Sequence, residues 1–383
     1  MVIGMAIRVP PLEELTVWNT SKCNLRCDYC FVYKLYSDIP RQEMQRETMD
    51  ALIHFAMHRL RFNGRIWFFG GEPLVSFETM KYITEKARAE NLAILFGVTT
   101  NCTLIDEEKA RWMAKHGYNV LCSMDGLENL HDKHRKRIDG SGSWKETWSG
   151  IQLVRKYINP NPQIRWTMNI DTIEGTTESM KALIKDGLTN LAIDCVYEVK
   201  WDDDTLQTLK GELEKMSELL DTCYSQNIPV FSMFARDAAT AVLNKARMSW
   251  TDRCGLGKGS VGVTPRGEIT PCHRFVTANE PIIGDVYSGF NPKRIEWIEK
   301  WSKTPPYSEN PELCLNCQYK TACTGGCIAC NFDLFGEPHV VPEAFCKIKQ
   351  LTVEVFKPLV LKHENNPTFK QMYGIGTARM CIE

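Results

Sequence analysis

The sequence lacks an excess of charge of either sign. Its 383 residues include 46 Lys and Arg against 47 Asp and Glu, so the formal net charge is −1. A near-neutral chain has no global positive field to attract nucleic acid or an anionic membrane. We therefore expect neither nucleic acid nor a membrane among its partners.

The sequence also lacks long hydrophobic segments. No run approaches the roughly 18 uninterrupted apolar residues typical of a transmembrane helix. The N-terminal stretch MVIGMAIRVPPLEELTVW has a short apolar run that prolines interrupt before any small-residue cleavage site, so we expect no secretory signal peptide. These absences predict a cytoplasmic protein, in which thiols stay reduced.

Cysteine, in contrast, is abundant. The chain has 16 cysteines in 383 residues, too many to be incidental in an intracellular enzyme and too sparse for a small disulfide scaffold. In a reducing compartment, this content indicates metal ligation or redox chemistry. Four cysteines in predicted strands or helices are expected to be buried apolar residues instead: Cys102, Cys122, Cys195 and Cys223.

The first 200 residues alternate between apolar strand-like runs and helical patterns. Six strands separated by helices predict an α/β fold with a parallel sheet and right-handed crossovers, as either a partial barrel or an open sheet. Ligands bind at the carboxyl ends of strands in such folds. The predicted strands are Leu15–Trp18, Arg65–Phe69, Leu92–Thr99, Val120–Met124, Ile164–Ile170 and Leu191–Tyr197, and the predicted helices are Glu47–Leu60, Phe77–Glu90, Glu107–His116, Trp144–Ile158 and Thr177–Lys185.

The composition and the apolar pattern of the sequence change after the first 200 residues. Residues 201–250 are predicted to bridge the two halves of the chain through a long helix at Asp202–Gln226. Residues 199–250, which are acidic at Trp201–Asp204 and aromatic around Phe231–Phe234, form either a substrate contact or a solvated linker helix. Residues 251–350 are rich in glycine and cysteine and poor in apolar pattern, so bound metal would have to help hold this small domain. Residues 351–383 are predicted to contain the rest of a C-terminal helix, which begins near Ala344, followed by a tail.

Three cysteines follow the first predicted strand within one short loop. Cys23, Cys27 and Cys30 have the spacing C-x3-C-x2-C. Three thiolates this close can wrap one metal centre and leave a coordination position open if the centre takes four ligands. A structural zinc site, the alternative, needs a fourth ligand, and no other His or Cys is near in the sequence.

This loop, with the aromatic Tyr29 before its last cysteine, resembles the radical S-adenosylmethionine (SAM) superfamily. The resemblance implies a partial (β/α)6 barrel. It also implies that Cys23, Cys27 and Cys30 bind three irons of a 4Fe–4S cluster whose fourth iron takes the amino and carboxylate groups of SAM. The family cleaves SAM reductively to a 5′-deoxyadenosyl radical, which abstracts hydrogen from a substrate.

Further motifs follow the next strands. Gly70-Gly71-Glu72-Pro73 resembles the family's GGEP motif, which implies that Glu72 binds the methionine ammonium group, and glycines there would let the backbone approach a ligand. The stretch from Ser123 resembles the SxDG…HDxxR…GxGS pattern of one radical SAM group. It implies that Arg135, rather than Arg137, lies near the methionine carboxylate. The expected cofactor contacts are Tyr29, Gly70, Gly71, Glu72, Pro73, Asn101, Ser123, Asp125 and Arg135.

The C-terminal cysteines have a second set of fixed spacings. The spacings between the cysteines around Gly267 and after Cys314 resemble those of the SPASM extension of radical SAM proteins. This extension carries up to two auxiliary Fe–S clusters, which are expected to be 4Fe–4S in this chain. Zinc ribbons favour paired CxxC motifs about 15–20 residues apart, which this pattern lacks. The resemblance assigns an outer cluster to Cys314, Cys317, Cys323 and Cys346, and an inner cluster to Cys254, Cys272 and Cys327.

The inner cluster has three expected ligands. Some family members supply a fourth ligand six residues after the first cysteine, but this chain has Ser260 there. The inner cluster therefore has either an open iron or a fourth ligand in Cys330.

The segment around Cys272 most resembles the thioether-forming members of the peptide-modifying maturases. These form thioether or other crosslinks or oxidise side chains, which implies a peptide or protein substrate and a flavodoxin- or ferredoxin-type electron donor. Sulfatase maturases typically have Asp at the position of His273, so this departure argues against the formation of formylglycine. His273 is either a proton acceptor near the substrate or a structural histidine. The alternatives are a SPASM dehydrogenase or epimerase acting on an aminoglycoside or sugar, and a non-enzymatic Fe–S electron carrier.

Overall fold

A computed structural model describes residues 11–32, 41–243, 256, 259–277, 281–304, 311–320, 323 and 325–374. The chain divides into two compact units. The first comprises residues 1–122, 134–160 and 250–304, and the second comprises residues 123–133, 161–249 and 305–383.

The elements alternate between strands and helices through most of the chain. The strands are β1 (Leu12–Thr20), β2 (Leu60–Gly70), β3 (Ile94–Thr100), β4 (Asn119–Ser123), β5 (Gln163–Met168), β6 (Asn190–Cys195), β7 (Phe231–Ser232), β8 (Ser260–Val263), β9 (Glu268–Thr270), β10 (Gly284–Asp285) and β11 (Gly289–Phe290). The helices are α1 (Arg46–Arg59), α2 (Phe77–Ala89), α3 (Glu107–Lys115), α4 (Glu128–His134), α5 (Trp144–Tyr157), α6 (Thr176–Lys185), α7 (Asp203–Ser225), α8 (Met233–Leu243), α9 (Pro292–Lys303), α10 (Pro311–Cys314), α11 (Ile328–Phe335), α12 (Glu343–His363) and α13 (Pro367–Tyr373).

In the first unit, β1 is the central strand. It pairs in parallel with β2 on one side and with β8 on the other, and β3 and β4 extend the parallel sheet beyond β2. The short strands β9, β10 and β11 continue antiparallel from β8. Leu15, Val17 and Trp18 of β1 are fully buried, as expected for a parallel strand covered on both faces.

In the second unit, β5, β6 and β7 form a parallel set. Burial alternates along β5, so that Ile164, Trp166 and Met168 are buried on one face while the intervening residues are partly exposed. Helix α12 packs against both α7 and α8 in this unit, with the rings of Phe234 (α8) and Phe356 (α12) stacked at 6.3 Å. No helix among the described residues is long and apolar enough to cross a membrane.

The six predicted strands and the five predicted helices between them are confirmed, with bounds shifted by a few residues. Leu60 is an exception, because it begins β2 in an extended conformation rather than ending the preceding helix. Within residues 199–250, Phe234 is 2% exposed in α8, and the choice between a linker and a substrate contact stays a prediction. The expected burial of Cys102, Cys122, Cys195 and Cys223 is confirmed. The predicted domain bounds stay a prediction.

Candidate active site

Cys23, Cys27 and Cys30 lie on the loop that follows β1 in the first unit. The backbone of this loop is tied to the end of β2, since the N–H of Glu72 donates to the Lys22 carbonyl at 2.8 Å. It is also tied to the segment after α4, since the N–H of Arg26 donates to the Lys136 carbonyl at 2.7 Å. The three thiols are therefore held on a loop anchored from both sides, and soft thiolates are the donors that an iron–sulfur cluster takes.

Gly70 and Gly71 are required by the packing of this loop. Gly70 has a φ of +133°, and a Cβ on it would lie 2.4 Å from the Thr20 carbonyl oxygen. A Cβ on Gly71 would lie 2.1 Å from the Lys22 carbonyl oxygen. The two glycines therefore let the end of β2 approach the backbone of the cysteine loop, which is a role in packing the chain against itself.

Glu72 is the buried anion of the site, with 1% of its surface exposed. Its Oε1 accepts the Thr100 hydroxyl at 2.7 Å and the Leu74 N–H at 3.1 Å, and its Oε2 accepts the Asn101 N–H at 2.8 Å. Burial raises the pKa of this carboxyl to about 7, although the three hydrogen bonds oppose the shift. An incoming cation would stabilise the ionised form, so Glu72 fits the ammonium group of SAM.

Asn101 connects the loop after β3 to the cysteine loop. Its side-chain amide donates to Asn24 Oδ1 at 3.0 Å, and its own oxygen accepts the Thr103 hydroxyl at 2.7 Å. Asn24 in turn donates to the Thr103 hydroxyl at 2.7 Å. Asn24, Thr100 and Thr103 were not predicted as site residues, and the signal for them is their position beside Cys23 and within the polar run after β3.

Cys23 lies within electrostatic reach of Glu72 and Cys30. Burial raises the pKa of the Cys23 thiol to about 12, and the Glu72 carboxylate and Cys30 add to the shift. A thiol with this pKa is protonated at neutral pH, whereas iron binds the thiolate. Binding a cluster at this loop must therefore displace the proton of Cys23.

Arg135 and Arg137 have different surroundings in the structure. Arg135 is 7% exposed, and its guanidinium lies 5.5 Å from the centre of the Tyr29 ring. Arg137 instead forms an ion pair with Glu146 at 2.5 Å, with both side chains more than a third exposed. The buried position beside the cysteine loop makes Arg135 the better placed of the two for a cofactor.

His134 also lies near Tyr29 and pairs with the neighbouring Asp28. Its Nδ1 lies 2.8 Å from Asp28 Oδ1, and its ring centre is 5.9 Å from that of Tyr29. The Tyr29 ring of the cysteine loop is therefore near both His134 and Arg135.

An apolar cluster covers the Cys30 end of the loop. Trp18, Val32 and Val276 are its buried members, and Cys30, Phe31 and Phe69 pack against them. His273 lies at the edge of this cluster, with its ring centre 4.8 Å from that of Phe69. The structure therefore brings the Cys272–His273 segment to the cysteine loop within the first unit.

Ser123 and Asp125 lie in the second unit. Asp125 is 1% exposed, and its Oδ1 accepts the Thr167 N–H at 2.8 Å while its own N–H donates to His131 at 3.2 Å. A Cβ on Gly126, which has a φ of +78°, would lie 2.7 Å from the Trp166 ring. Asp125 and Gly126 thus fold the turn after β4 onto β5, and a direct cofactor contact for Ser123 or Asp125 stays a prediction.

The four cysteines of the predicted outer cluster all belong to the second unit. Burial raises the pKa of the Cys346 thiol to about 12, and Cys323, Cys314 and Cys317 add to the shift, which places all four within electrostatic reach. Among the described residues, no group of three or more His, Cys, Asp or Glu side chains is arranged to hold a single metal ion. The binding of one cluster by these four cysteines stays a prediction.

The expected inner-cluster ligands are divided along the chain. Cys272 belongs to the first unit and Cys327 to the second, and Cys254 lies outside the described residues. Cys330 is 3% exposed on α11, and its thiol donates to Glu198 Oε1 at 3.4 Å. This cysteine therefore has a carboxylate partner in the structure, and its role as a cluster ligand stays a prediction.

Comparisons with known proteins agree with the motifs. The Radical SAM superfamily profile matches residues 20–187. The cysteine-type anaerobic sulfatase-maturating enzyme of Clostridium perfringens (strain 13 / Type A) is 30% identical over 156 residues, which are 39% of this chain and 42% of that protein. The chain therefore matches about two fifths of that relative's length. The radical SAM cyclopropyl synthase TigE of Paramaledivibacter caminithermalis is 21% identical over 89% of this chain and 73% of that protein.

Solved structures share the fold. Native anSMEcpe with bound AdoMet and Cp18Cys peptide has a TM-score of 0.76 at 22% identity, covering 93% of this chain and 99% of that one. SuiB of Streptococcus suis, bound to the precursor peptide SuiA, has a TM-score of 0.56 at 18% identity, covering 88% and 76%. The predicted α/β radical SAM fold class is confirmed. Residues 20–187 of the chain form a domain that matches the Radical SAM superfamily.

Proposed function

We propose that this enzyme removes a hydrogen atom from a peptide or protein substrate during post-translational modification, forming a thioether or other crosslink or oxidising a side chain. The observation that carries this proposal is the fold shared over 93% of the chain with an enzyme solved with both AdoMet and a peptide. A second neighbour, SuiB, was solved with a precursor peptide. The two peptide complexes favour a peptide over a small molecule as the substrate.

Cys23, Cys27 and Cys30 hold the cluster in this proposal, and Glu72 and Arg135 orient SAM. Together the cluster and SAM supply the radical that takes hydrogen from the substrate. Glu72 binds the ammonium group through a carboxylate already fixed by three donors, so little reorganisation is needed when the cofactor binds. Arg135, buried against Tyr29, binds the carboxylate group.

The apolar cluster around Trp18 excludes water from the Cys30 end of the loop. Trp18 is fully buried, and Phe31 and Phe69 cover the neighbouring surface with ring centres 6.3 Å apart. Exclusion of water protects reactive species from side reactions and strengthens the electrostatic contacts of the site. His273, at the edge of this apolar cluster, accepts the proton that substrate oxidation releases. The electron released with that proton would pass to the auxiliary iron–sulfur clusters.

The C-terminal cysteines hold the auxiliary clusters. Cys314, Cys317, Cys323 and Cys346 bind the outer cluster, supported by their mutual electrostatic effects. Cys254, Cys272 and Cys327 bind the inner cluster, with an open iron or with Cys330 as the fourth ligand. A flavodoxin- or ferredoxin-type protein supplies electrons, and the cytoplasm is the compartment that keeps these thiols reduced.

The test has two parts. Anaerobically reconstituted protein is incubated with dithionite and SAM, and 5′-deoxyadenosine is measured by chromatography, with the Cys23→Ala, Cys27→Ala, Cys30→Ala triple variant as the control. The protein is then co-expressed with a short peptide encoded beside its gene, and the peptide is weighed by mass spectrometry. A mass lower by two hydrogens is the expected crosslink. SAM cleavage with an unmodified peptide, together with turnover of an aminoglycoside or sugar, would show the peptide assignment to be wrong.

A further inference from the structure

One face of the β5–β6 pair in the second unit is polar. Arg165 and Thr167 lie on the face of β5 opposite the buried Trp166. Asp194 of β6 pairs in register with Thr167 and lies beside Arg165. Neither Arg165 nor Asp194 has a role in the candidate active site described above.

Arg165 is only partly satisfied by the protein. Its Nη2 lies 3.4 Å from Asp194 Oδ2, and its Nη1 donates to the thioether sulfur of Met233 at 2.9 Å. The first contact is long for an ion pair, and a thioether is a weak acceptor. A guanidinium carries five N–H donors, and 37% of this side chain is exposed, so donors remain for a further acceptor.

The Asp194 carboxylate accepts hydrogen bonds from two other groups. Its Oδ1 accepts the Tyr197 hydroxyl at 2.7 Å and the Cys195 N–H at 3.0 Å. Burial and the Asp194 carboxylate both raise the pKa of Tyr197 well above its usual range, so the phenol stays protonated as the donor. Asp194 therefore serves two neutral donors at close range and Arg165 only at longer range.

The second carboxylate nearby is also occupied. Asp237 of α8 forms ion pairs with Lys349 of α12 and with Arg236, the latter at 3.1 Å. Burial opposes ionisation of Asp237, but Lys349 and Arg236 outweigh it and lower the pKa of this carboxyl. Three cations thus face two carboxylates in this group of side chains, and Arg165 is the cation with the longest carboxylate contact.

We infer that Arg165 binds a carboxylate of the substrate, namely an acidic side chain of the peptide. This inference rests on the proposed peptide substrate and adds a preference for a peptide that carries Asp or Glu. The planar guanidinium matches a carboxylate with two parallel hydrogen bonds, which a lysine does not reproduce. Asp194 holds the guanidinium in place from one side and leaves the exposed side to the ligand.

The first experiment needs no turnover. The holoenzyme is treated with phenylglyoxal, and labelling of Arg165 is followed by peptide mass spectrometry in the presence of N-acetyl-glutamate α-methylamide or its glutamine counterpart. At about 20 mM, the glutamate compound is expected to slow labelling about fivefold, as for a millimolar site, and the glutamine compound to leave it unchanged. Arg111, 61% exposed and paired with Glu107, is the internal control and should show no protection.

Either of two results would overturn the inference. Equal labelling with and without the glutamate compound means that Arg165 binds no carboxylate. Protection by SAM alone, with no added effect of the glutamate compound, means that Arg165 belongs to the SAM site. Protection by glutamate without peptide modification would instead contradict the proposed function and leave the carboxylate site standing.

The second experiment uses the peptide found by co-expression. Arg165→Gln is expected to raise the KM for the peptide about tenfold, the loss of one charge-assisted pair, with little change in kcat. Arg165→Lys should recover only part of this loss. Replacing the acidic residue of the peptide by its amide should raise KM in the wild-type enzyme but not in Arg165→Gln. The pairing of Arg165 with the acidic residue of the peptide would be contradicted if the enzyme substitution and the peptide substitution raised KM additively. A lower SAM affinity of Arg165→Gln would also contradict it.

Discussion

Glu72 accepts the backbone N–H of Asn101 at 2.8 Å. The residue expected to bind the ammonium group of SAM therefore also fixes the loop after β3. Asn101 in turn holds Asn24, which follows Cys23 in the cluster loop. The two predicted cofactor contacts and the cluster loop form one hydrogen-bonded unit, so a change at Glu72 affects the cofactor pocket and the loop together.

Replacing Glu72 by Gln should weaken SAM binding by about tenfold or more, because a charge-assisted contact with the ammonium group is lost. The measurement is anaerobic equilibrium binding of SAM to the reconstituted enzyme. Glu78→Gln is the matched control, since the Glu78 side chain is 84% exposed. Iron content is measured in parallel, and unchanged SAM affinity at full iron content would contradict the role of Glu72.

Glu72 should also make the stability of the cluster-free protein depend on pH. Its folded pKa of about 7 lies above the usual value of 4.5, so the folded state binds more protons than the unfolded state between these values. Stability should therefore fall as pH rises from 4.5 towards 7, by on the order of 3 kcal/mol for a group of this shift. Urea unfolding of the wild type and of Glu72→Gln across this pH range measures the effect. An equal change of unfolding free energy with pH in the two proteins would contradict the role of Glu72.

The alternation of strands and helices and the placement of the cysteine loop were predictable from the sequence. Both depend on local signals, namely the apolar periodicity around Trp18 and the close spacing of Cys23, Cys27 and Cys30. The parallel pairing of β1 with β8 was not predictable, because more than 200 residues separate the two strands and β8 is only four residues long.

The roles of individual polar residues were less predictable. Sequence alone could not show that Gly71 packs against the carbonyl of Lys22, since such an approach arises only when β1 and β2 are paired. It also could not show that Arg137 is paired with Glu146 and Arg135 buried. Each of these facts depends on tertiary contacts rather than on local propensity.

The two arginines give a matched pair of variants. Arg135→Gln should lower SAM affinity about tenfold, because the guanidinium buried beside Tyr29 is lost. Arg137→Gln breaks only a partly exposed ion pair with Glu146 and should leave SAM affinity within about twofold. Measuring the SAM affinity of both reconstituted variants shows which arginine contacts the carboxylate group of SAM. A larger loss of affinity in Arg137→Gln than in Arg135→Gln would assign that contact to Arg137.

The cysteine groups should be separable by iron content. The Cys23→Ala, Cys27→Ala, Cys30→Ala variant should lose SAM cleavage and about four irons per chain while keeping auxiliary iron. Cys346→Ala should lose iron from the outer cluster, whereas Cys223→Ala, at a buried cysteine of α7 that is 4% exposed, should lose none. Iron analysis with Mössbauer spectroscopy measures this. Loss of all iron from the triple variant would show that the clusters are not independent.

Two glycine substitutions should act in opposite directions. A Cβ on Gly71 would lie 2.1 Å from the Lys22 carbonyl oxygen, which is backbone and cannot move aside without shifting the cluster loop. Gly71→Ala should therefore destabilise the protein by about 1–3 kcal/mol and reduce iron bound by Cys23, Cys27 and Cys30. Gly211, within α7, has nothing within 4 Å of its added Cβ, so Gly211→Ala should stabilise by about 0.5–1 kcal/mol.

Urea unfolding and iron analysis of both variants measure these effects. Because Gly211→Ala changes only helix propensity, its iron content should match that of the wild type. If Gly71→Ala unfolds like the wild type and binds full iron, the cluster loop tolerates displacement of the Lys22 carbonyl. The close approach of β2 to that loop would then not be what sets the position of Cys23.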